Sequence, residues 1–563
     1  MIYHCEDHTC NYWDEGEKLP ERCPQCGRKL LRANEADMTG DDWTALGNTL
    51  WDAEASDKKR MVDCFRKAAY LGSAWGVCNL GICMEQGNGV EADPVQAFWL
   101  YQQAVEMGSL NAVCCLGVCY QYGIGTAPDA KQAAELYCKA AEYGSPRGQM
   151  LLARAFHDGI GVEADAAEAV HWVRAAAYQR YGEGMYRLGV CYEYGDGVEQ
   201  NWEHAVHWFR EAAESGVSAA MTDLGYCYEK GCGVEQSWEQ AFSWYRRGAE
   251  CGNLQSMHNL GCCYEKGRGV EQSWEQAFSW YRRSAECGNP VSMSNLGLCY
   301  QMGYGVEQNW QEAVKWYEQG AQCGDLQSMH NLACCYEHGE GVEQNMTEAI
   351  RWYTAAAEGG NADAMHNLGW LYDHGEGVEQ DMKKAICWYE RAAEQNHPAA
   401  MNSLGECYAM GRGVPRDLET AMEWYRRAAE LGEAMADYNM GWHLEQAGKL
   451  SEAYAHYRKA ADGNDDSAWW ALGRFYENGV VVAQDGKEAR RCYETGEKLG
   501  SVKCKMRLAR CKLLGIGGRR AKKAGLDLCR QALELAKESS EKEDYGYEAE
   551  MNLLRRTIAE NES

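Results

Sequence analysis

Features that would direct a chain to a membrane or a nucleic acid are missing from these 563 residues. No stretch approaches 18 consecutive apolar residues, so the sequence predicts no transmembrane helix. Basic residues are too few to balance the acidic ones, with 56 Lys and Arg against 84 Asp and Glu and a net charge of −28. An acidic chain is repelled by phosphate backbones and by anionic lipid. Neither nucleic acid nor a membrane surface is therefore expected as the main partner.

The first ten residues, MIYHCEDHTC, also lack a basic segment followed by an apolar one, so no signal peptide is visible. We therefore expect a cytoplasmic protein, in which the 28 cysteines are reduced thiols. Phenylalanine is scarce as well, with 7 residues against 34 Tyr and 21 Trp. An internal repeat multiplies its own aromatic preference, and this bias points to one.

The repeat is marked by an anchor residue that recurs every 36 residues. The anchors are Leu80, Leu116, Leu152, Leu188, Leu224, Leu260, Leu296, Leu332, Leu368, Leu404 and Met440. Weaker copies at Leu46, Leu472 and Leu508 bring the number of candidate anchors to fourteen. The units of Leu46 and Met440 are shorter and lack the Gly-x-Gly-Val segment of the others. Tighter turns are therefore expected in these two units.

Each unit has the pattern of two helices, as the copy around Leu260 illustrates. Leu260 and Tyr264 fall on one face of a first helix, which Gly267 ends. Ser273 is the predicted N-cap of a second helix, whose apolar residues recur at helical spacing over residues 274–285. One such hairpin cannot bury its apolar face alone, so the units are expected to stack into an array.

The full pattern resembles the Sel-one-like repeat family, which is related to tetratricopeptide repeats. It is carried well by Met365 to Gly377 together with Asp381, Ala385, Trp388 and Tyr389. The resemblance implies an all-α, right-handed α/α superhelical solenoid of about 13–14 helix-turn-helix repeats over residues 40–530. It implies a concave surface that binds a protein or peptide, and no shared catalytic residues. Residues 531–563 are expected to form C-terminal capping helices.

A small cysteine-rich segment, residues 1–34, precedes the repeats. Cys23 and Cys26 form a C-x-x-C pair, and Cys5 and Cys10 supply two more thiols. The segment resembles a zinc ribbon or rubredoxin-like knuckle, and four thiolates close a tetrahedral shell around a structural Zn²⁺. His8 competes with Cys10 as a ligand, and iron is the alternative metal.

An acidic residue follows the anchor by five positions in eight units. These residues are Glu85, Glu193, Glu229, Glu265, Glu337, Asp373, Glu445 and Glu477. By analogy with tetratricopeptide repeats, this position borders the concave face. The residues then form either an acidic strip that attracts a basic partner or an ordinary solvated helix end.

Two further columns of residues belong to the same predicted face. His258, His330 and His366 precede their anchors by two positions and are either partner contacts or solvated polar residues. Tyr226, Trp370 and Trp442 follow their anchors by two positions and are candidate hot spots for a partner.

Cysteines recur three residues after eight anchors, from Cys83 to Cys407, and are interpreted as small buried hydrophobes. The alternative for them is a redox ladder or metal store. The preferred function is a protein-interaction scaffold. The alternatives are a zinc- or redox-responsive sensor with the solenoid as output and, less favoured, a thiol- or zinc-dependent hydrolase. For the hydrolase, no nucleophile–base pair that breaks the repeat pattern is found.

Overall fold

The structure is a computed structural model that describes residues 2–5, 13–15, 30–33, 35–51, 55–542 and 547–562. The chain divides into two compact units, residues 1–287 and residues 288–563. The first unit contains β1 (Ile2–Cys5), β2 (Trp13–Glu15), β3 (Leu30–Ala33), a 3-10 turn (Glu35–Asp37), α1 (Gly40–Thr49), α2 (Ala55–Tyr70), α3 (Ala74–Gln86), α4 (Pro94–Glu106), α5 (Leu110–Tyr122), α6 (Ala130–Glu142), α7 (Pro146–Asp158), α8 (Ala166–Tyr178), α9 (Gly182–Tyr194), α10 (Trp202–Glu214), α11 (Ser218–Lys230), α12 (Trp238–Glu250), α13 (Leu254–Lys266) and α14 (Trp274–Glu286).

The second unit continues the same alternation of first and second helices. It contains α15 (Pro290–Met302), α16 (Trp310–Gln322), α17 (Leu326–His338), α18 (Met346–Gly359), α19 (Ala362–His374), α20 (Met382–Glu394), α21 (Pro398–Met410), α22 (Leu418–Glu430), α23 (Ala434–Gln446), α24 (Leu450–Asp462), α25 (Asp466–Asn478), α26 (Gly486–Lys498), α27 (Val502–Leu514), α28 (Lys522–Lys542) and α29 (Glu548–Glu562). Within each unit, a second helix packs on its own first helix and on the first helix of the next repeat. The predicted helical array is confirmed.

The ends of these helices follow from local side-chain chemistry. Ser273 accepts a hydrogen bond from the backbone N–H of Gln276, which caps α14 as the sequence predicts. Gly267 ends α13 in the left-handed conformation. Gly269 has a second reason to be glycine, because a Cβ there would lie 2.1 Å from the carbonyl oxygen of Trp238 in the preceding repeat. The loop is therefore fixed by backbone conformation and by close packing.

The short unit of Met440 has the tight turn that its length predicts. Only three residues, 447–449, separate α23 from α24, whereas seven residues separate α13 from α14. Gly448 adopts a positive φ of 76° in this turn. The stacking of helix pairs is thus kept although four residues of the usual loop are missing.

The core of most repeats is built on a buried tyrosine of the second helix. The ring of Tyr281 is 1% exposed and packs against Gly261, the residue after the anchor. A Cβ on Gly261 would lie 2.5 Å from Cε1 of that ring, so a larger residue forces a shift. The same pairing recurs as Gly225 with Tyr245. Glycine in the middle of the first helix is therefore explained by ring packing.

The C-terminal helix, α29, packs over α27, which is the first helix of the last helix pair. Met551 and Leu554 of α29 are buried against α27 and α28. Glu550 of α29 is buried too, and Arg507 donates two hydrogen bonds to it, at 2.6 and 2.7 Å. An apolar contact and a paired charge therefore hold this helix on the array.

Candidate partner-binding face of the first helices

The predicted acidic column is engaged inside the protein. In each of seven units, the acid five residues after the anchor accepts a hydrogen bond from a tyrosine hydroxyl of the second helix. The pairs are Glu85–Tyr101 (2.6 Å), Glu229–Tyr245 (2.9 Å), Glu265–Tyr281 (2.6 Å), Glu337–Tyr353 (2.5 Å), Asp373–Tyr389 (3.5 Å), Glu445–Tyr457 (2.8 Å) and Glu477–Tyr493 (2.8 Å). A buried phenol needs an acceptor, and this position supplies it.

Two repeats show that the acceptor at this position need not carry a charge, and in residues 398–433 Ala409 stands there although Tyr425 is buried. Gln121 accepts from Tyr137 and Gln301 accepts from Tyr317, each at 2.7 Å through the amide oxygen. The amide carries no charge but presents the same oxygen to the phenol. The column is therefore in the first place a set of internal hydrogen bonds, a role that sequence reasoning missed. The signal was present, since acid and tyrosine are always 16 residues apart in the 36-residue units.

Asp373 and Glu193 depart from this arrangement in opposite ways. Asp373 is only 3% exposed and also forms an ion pair with Arg412 at 2.9 Å, so it does not face a partner. Glu193 lies in a repeat where Phe209 replaces the tyrosine, so the ring has no hydroxyl to donate. Burial, and then the neighbouring Asp223, raise the pKa of Glu193 above its usual range. Glu193 is thus the acid of the column that lacks the tyrosine.

The three predicted histidines cover the buried tyrosine rings. His258, His330 and His366 lie over the rings of Tyr281, Tyr353 and Tyr389, with centroids 5.7, 5.8 and 5.7 Å apart.

Among these histidines, His366 has the most constrained surroundings. Its imidazole stacks on that of His397 at 5.1 Å, and its Nε2 lies 3.4 Å from the hydroxyl of Ser403. Burial, followed by the charge of His397, lowers the pKa of His366 to about 4. The histidine is therefore a neutral packing group at pH 7.

The aromatic residues of the column are the accessible part of the face. Tyr226 is 44% exposed and Trp442 is 42% exposed. Trp370 is half-buried and stacks on His374 with a centroid distance of 4.2 Å and an interplanar angle of 22°. Leu298, at the same position of its repeat, is 41% exposed and was not among the predicted residues. The sequence spacing could have indicated Leu298, because positions 226, 298, 370 and 442 follow one another at intervals of 72 residues, or two repeats.

Of the predicted metal ligands, Cys5 is the last residue of β1, and the strand pairing sets Cys5 opposite Leu30. His8, Cys10, Cys23 and Cys26 lie outside the described residues. Within the ranges that are described, no group of three or more His, Cys, Asp and Glu side chains is placed to hold a metal ion.

The cysteines of the repeat column pack inside the helix pairs. Cys83 and Cys407 are 0% exposed, and burial raises the pKa of both thiols to about 11. Their interpretation as small buried hydrophobes is confirmed. None of the helices in the described part of the chain has the length and hydropathy to cross a membrane.

The repeats match a known family along most of the chain. The Sel1 repeat model matches residues 76–109, 112–145, 146–181, 182–217, 218–253, 254–289, 290–325, 326–361, 362–397, 398–433, 434–465 and 468–501. The chain belongs to the Sel1 repeat family. Its repeats are the TPR-like helix pairs that are typical of protein-interaction scaffolds.

One solved structure supports the same assignment, and a second is similar to part of the chain. The crystal structure of c5321, a protective antigen of uropathogenic Escherichia coli with an SLR fold, is 29% identical, covering 76% of this chain and 94% of that one with a TM-score of 0.55. A Sel1 repeat protein from Oxalobacter formigenes is 31% identical, covering 43% of this chain and 96% of that one with a TM-score of 0.41. The comparison with curated proteins gives no match.

Proposed function

We propose that this protein is an interaction scaffold that binds an extended, basic segment of a partner protein along the first helices of residues 288–563. The observation that carries the proposal is the apolar column, Leu298, Trp370 and Trp442. Each member lies on a first helix and is not fully buried. The tyrosines of the neighbouring second helices, in contrast, are fully buried. Large apolar side chains that stay accessible, such as the two tryptophans of this column, are typical of binding hot spots.

The spacing of the apolar column sets the length of the ligand. Leu298, Trp370 and Trp442 lie on α15, α19 and α23, so one first helix stands between successive members. Packed helices are about 10 Å apart, and two such steps give about 20 Å. An extended chain covers about 3.4 Å per residue, so we expect apolar ligand residues about six positions apart.

The negative charge of the protein favours a basic ligand. The residues that would bind it are not those of the predicted acidic strip. The carboxylates that accept from tyrosines are already engaged. Glu307, Glu343 and Glu379 recur at one exposed position of the inter-helix loops, three residues before the second helix begins. With a net charge of −28, the protein as a whole attracts cations. These loop acids are therefore suited to hold Lys and Arg that flank the apolar ligand residues.

Selection of peptides from a random display library on the full chain tests this function. We expect selected peptides with two apolar residues about six positions apart and flanking Lys or Arg. The triple variant Leu298→Ala, Trp370→Ala and Trp442→Ala is expected to bind them at least 30-fold more weakly, since a hot spot contributes about 2 kcal/mol.

Leu431→Ala with Leu499→Ala is the matched control, because these leucines are 48% and 44% exposed but lie at second-helix ends. Selected peptides should bind this control as they bind the unchanged protein. Equal affinity for the unchanged protein and the triple variant would overturn the proposed function.

We also propose that Cys5, Cys10, Cys23 and Cys26 hold one structural Zn²⁺. Support comes from their sequence spacing and from the pairing of β1 with β3, where Leu30, opposite Cys5, follows Cys26 by four residues. A segment this short has too small a core to fold by burial alone.

Elemental analysis of the full chain tests the zinc proposal. We expect one zinc per chain, and loss of that zinc in the variant Cys23→Ser with Cys26→Ser. A zinc-free protein from zinc-supplied cells would contradict the proposal, and iron in its place would show as visible absorption. Chelation that weakens binding of the selected peptides would instead favour the sensor alternative over a purely structural metal.

A further inference from the structure

One of the twelve family-matched repeats lacks the central ring. In residues 146–181, Val173 stands where the other eleven matched repeats have tyrosine or phenylalanine. Two partners of the ring are changed in the same repeat. Ala153 replaces the glycine that packs against the ring in most repeats, and His157 replaces the acid or amide that commonly accepts from the hydroxyl. The whole ring assembly is therefore absent from this one repeat.

A cavity lies beside the position of the missing ring, between the first helices of two repeats. Its volume is about 620 Å³, and its apolar floor is formed by Ala153, Ala169, Val170, Val173 and Val190. These floor residues come from α7, α8 and α9. Pockets of about 300–1,000 Å³ with mainly apolar walls and a few polar groups are typical of small-ligand sites.

The rim of this cavity carries three arginines and three carboxylates, those of Asp158, Glu183 and Asp196. Arg147, Arg154 and Arg187 all line it. Arg154 pairs with Asp158 at 3.3 Å, and Arg187 pairs with Glu183 at 2.9 Å.

Arg147 differs from the other two arginines in its partners. It donates to Oδ1 of Asn111 at 2.6 Å and to Sγ of Cys115 at 3.6 Å. Over the described ranges it has no carboxylate partner. Arg147 is thus the arginine of the lining whose described partners include no carboxylate, and a carboxylate is the group that a planar guanidinium binds best.

We infer that this cavity binds an aromatic ring that carries a carboxylate a few bonds away, with the ring in the space above Val173 and the carboxylate on Arg147. The shape follows from the construction of the repeat, since an aromatic ring fills the equivalent space elsewhere in the chain. Both a free aryl carboxylate and the C-terminal aromatic residue of a peptide present these two groups. The site is independent of the proposed function, because it lies in the first unit and does not use the apolar column.

The chain itself offers the variant that fills the part of the cavity next to Val173. Ala153→Gly with Val173→Phe copies the next repeat, in which Gly189 packs against Phe209. The variant is expected to fold with a Tm equal to or above that of the unchanged protein, because it fills a cavity with a ring that the repeat accommodates elsewhere. With 3-phenylpropanoate as the probe, ligand-observed NMR on the full chain should show the Kd rising at least tenfold.

A second pair of measurements tests the carboxylate contact without filling the cavity. The unchanged protein should bind 3-phenylpropanoate at least fivefold more tightly than 3-phenylpropanamide, and Arg147→Gln should remove this preference. A peptide ending in Phe with a free carboxylate, compared with its amide, identifies a chain end as the source. Binding of 3-phenylpropanoate that is the same in the unchanged and the filled protein would overturn the inference. So would the absence of binding by both the acid and the peptide.

Discussion

Two repeats of the first unit, residues 254–289 and residues 146–181, build the same helix pair around different centres. In residues 254–289, Tyr281 fills the centre, Gly261 makes room for its ring, and Glu265 accepts from its hydroxyl. In residues 146–181, all three of these positions differ, and a cavity of about 620 Å³ lies at the centre. The difference indicates that ring, glycine and acceptor pack together, although other repeats replace a single member, the glycine by Ala333 and the acceptor by Ala409. A repeat that loses one member is free to lose the others.

The repeat of residues 182–217 shows an intermediate case. It keeps the ring as Phe209 and the glycine as Gly189, but it has lost the hydroxyl. Its acid, Glu193, remains without the phenol, and burial raises the pKa of that carboxyl. In this repeat the acid therefore has no phenol to accept from, while the ring and the glycine are both kept.

The largest effect is expected when the ring is removed from a repeat that has one. Tyr281→Val should lower the local free energy of unfolding of α13 and α14 by about 3 kcal/mol, because it leaves a cavity and removes the donor to Glu265. Hydrogen exchange across residues 254–286 measures this loss. In residues 146–181, Val173→Ala is the control and should cost only about 1 kcal/mol. Equal losses in the two repeats would contradict the comparison.

The next effect is a pH dependence at the residue that covers the ring. The pKa of His366 is about 4 in the folded protein and about 6.5 in an unfolded chain. Between these values the unfolded chain binds the extra proton, so stability falls as the pH falls from about 6.5 to 4. The loss is about 2 to 3 kcal/mol at pH 4.

Urea unfolding of the helices around residues 362–394, followed by hydrogen exchange, checks this expectation. His366→Gln should flatten the pH profile of stability between pH 6.5 and 4. From pH 7.5 upward, the stability difference between the two proteins should no longer change with pH. A variant whose profile below pH 6.5 matches that of the unchanged protein would exclude His366 as the cause.

A smaller effect separates hydrogen bonding from charge at the acceptor. Glu265→Leu leaves the buried hydroxyl of Tyr281 without this acceptor and should cost about 2 kcal/mol. Glu265→Gln reproduces the arrangement of Gln301 with Tyr317 and should cost less than about 0.5 kcal/mol. Hydrogen exchange of α13 and α14 distinguishes the two variants. A similar cost for both would mean that the charge is needed.

The smallest effect is expected from restoring a missing hydroxyl. Phe209→Tyr places a donor opposite Glu193 and should stabilise α9 and α10 by about 1 kcal/mol. The new hydrogen bond should also lower the pKa of Glu193 towards its usual range, which carboxyl NMR titration measures. Phe209→Leu is the control for the ring itself and should destabilise the same helices. No gain from the tyrosine would show that the acceptor contributes little.

Sequence reasoning could predict the helix pairs, their caps and the tight turn of the Met440 unit, because these depend on residues within one unit of about 36. It could not assign the acceptor role of Glu265, because the partner Tyr281 is on another helix and only packing joins them. An acid at a helix end is usually solvated, so local pattern favoured a surface role.

The two misjudged features of the face have a common physical origin. His366 and Asp373 are polar and were expected to face a partner, but His366 is half-buried in a stack on His397, and Asp373 is buried and paired with Arg412. Leu298 is apolar, yet it is exposed. The burial of a side chain in a stacked array depends on residues of the neighbouring repeat. The spacing of apolar residues within a single helix gives no information about those residues. The alternation over two repeats is the longer-range signal that could have identified Leu298.

The measurement that tests the central claim most directly is a double-mutant cycle of Gly261→Ala and Tyr281→Val, read by hydrogen exchange of α13 and α14. Ala333 beside the ring of Tyr353 shows that the chain tolerates one such alanine, so the cost is finite. Gly261→Ala should cost about 1 kcal/mol or more with the tyrosine present and nothing measurable with valine, as in the native pair Ala153 and Val173. An alanine that costs the same in both backgrounds would contradict the claim that ring and glycine form one unit.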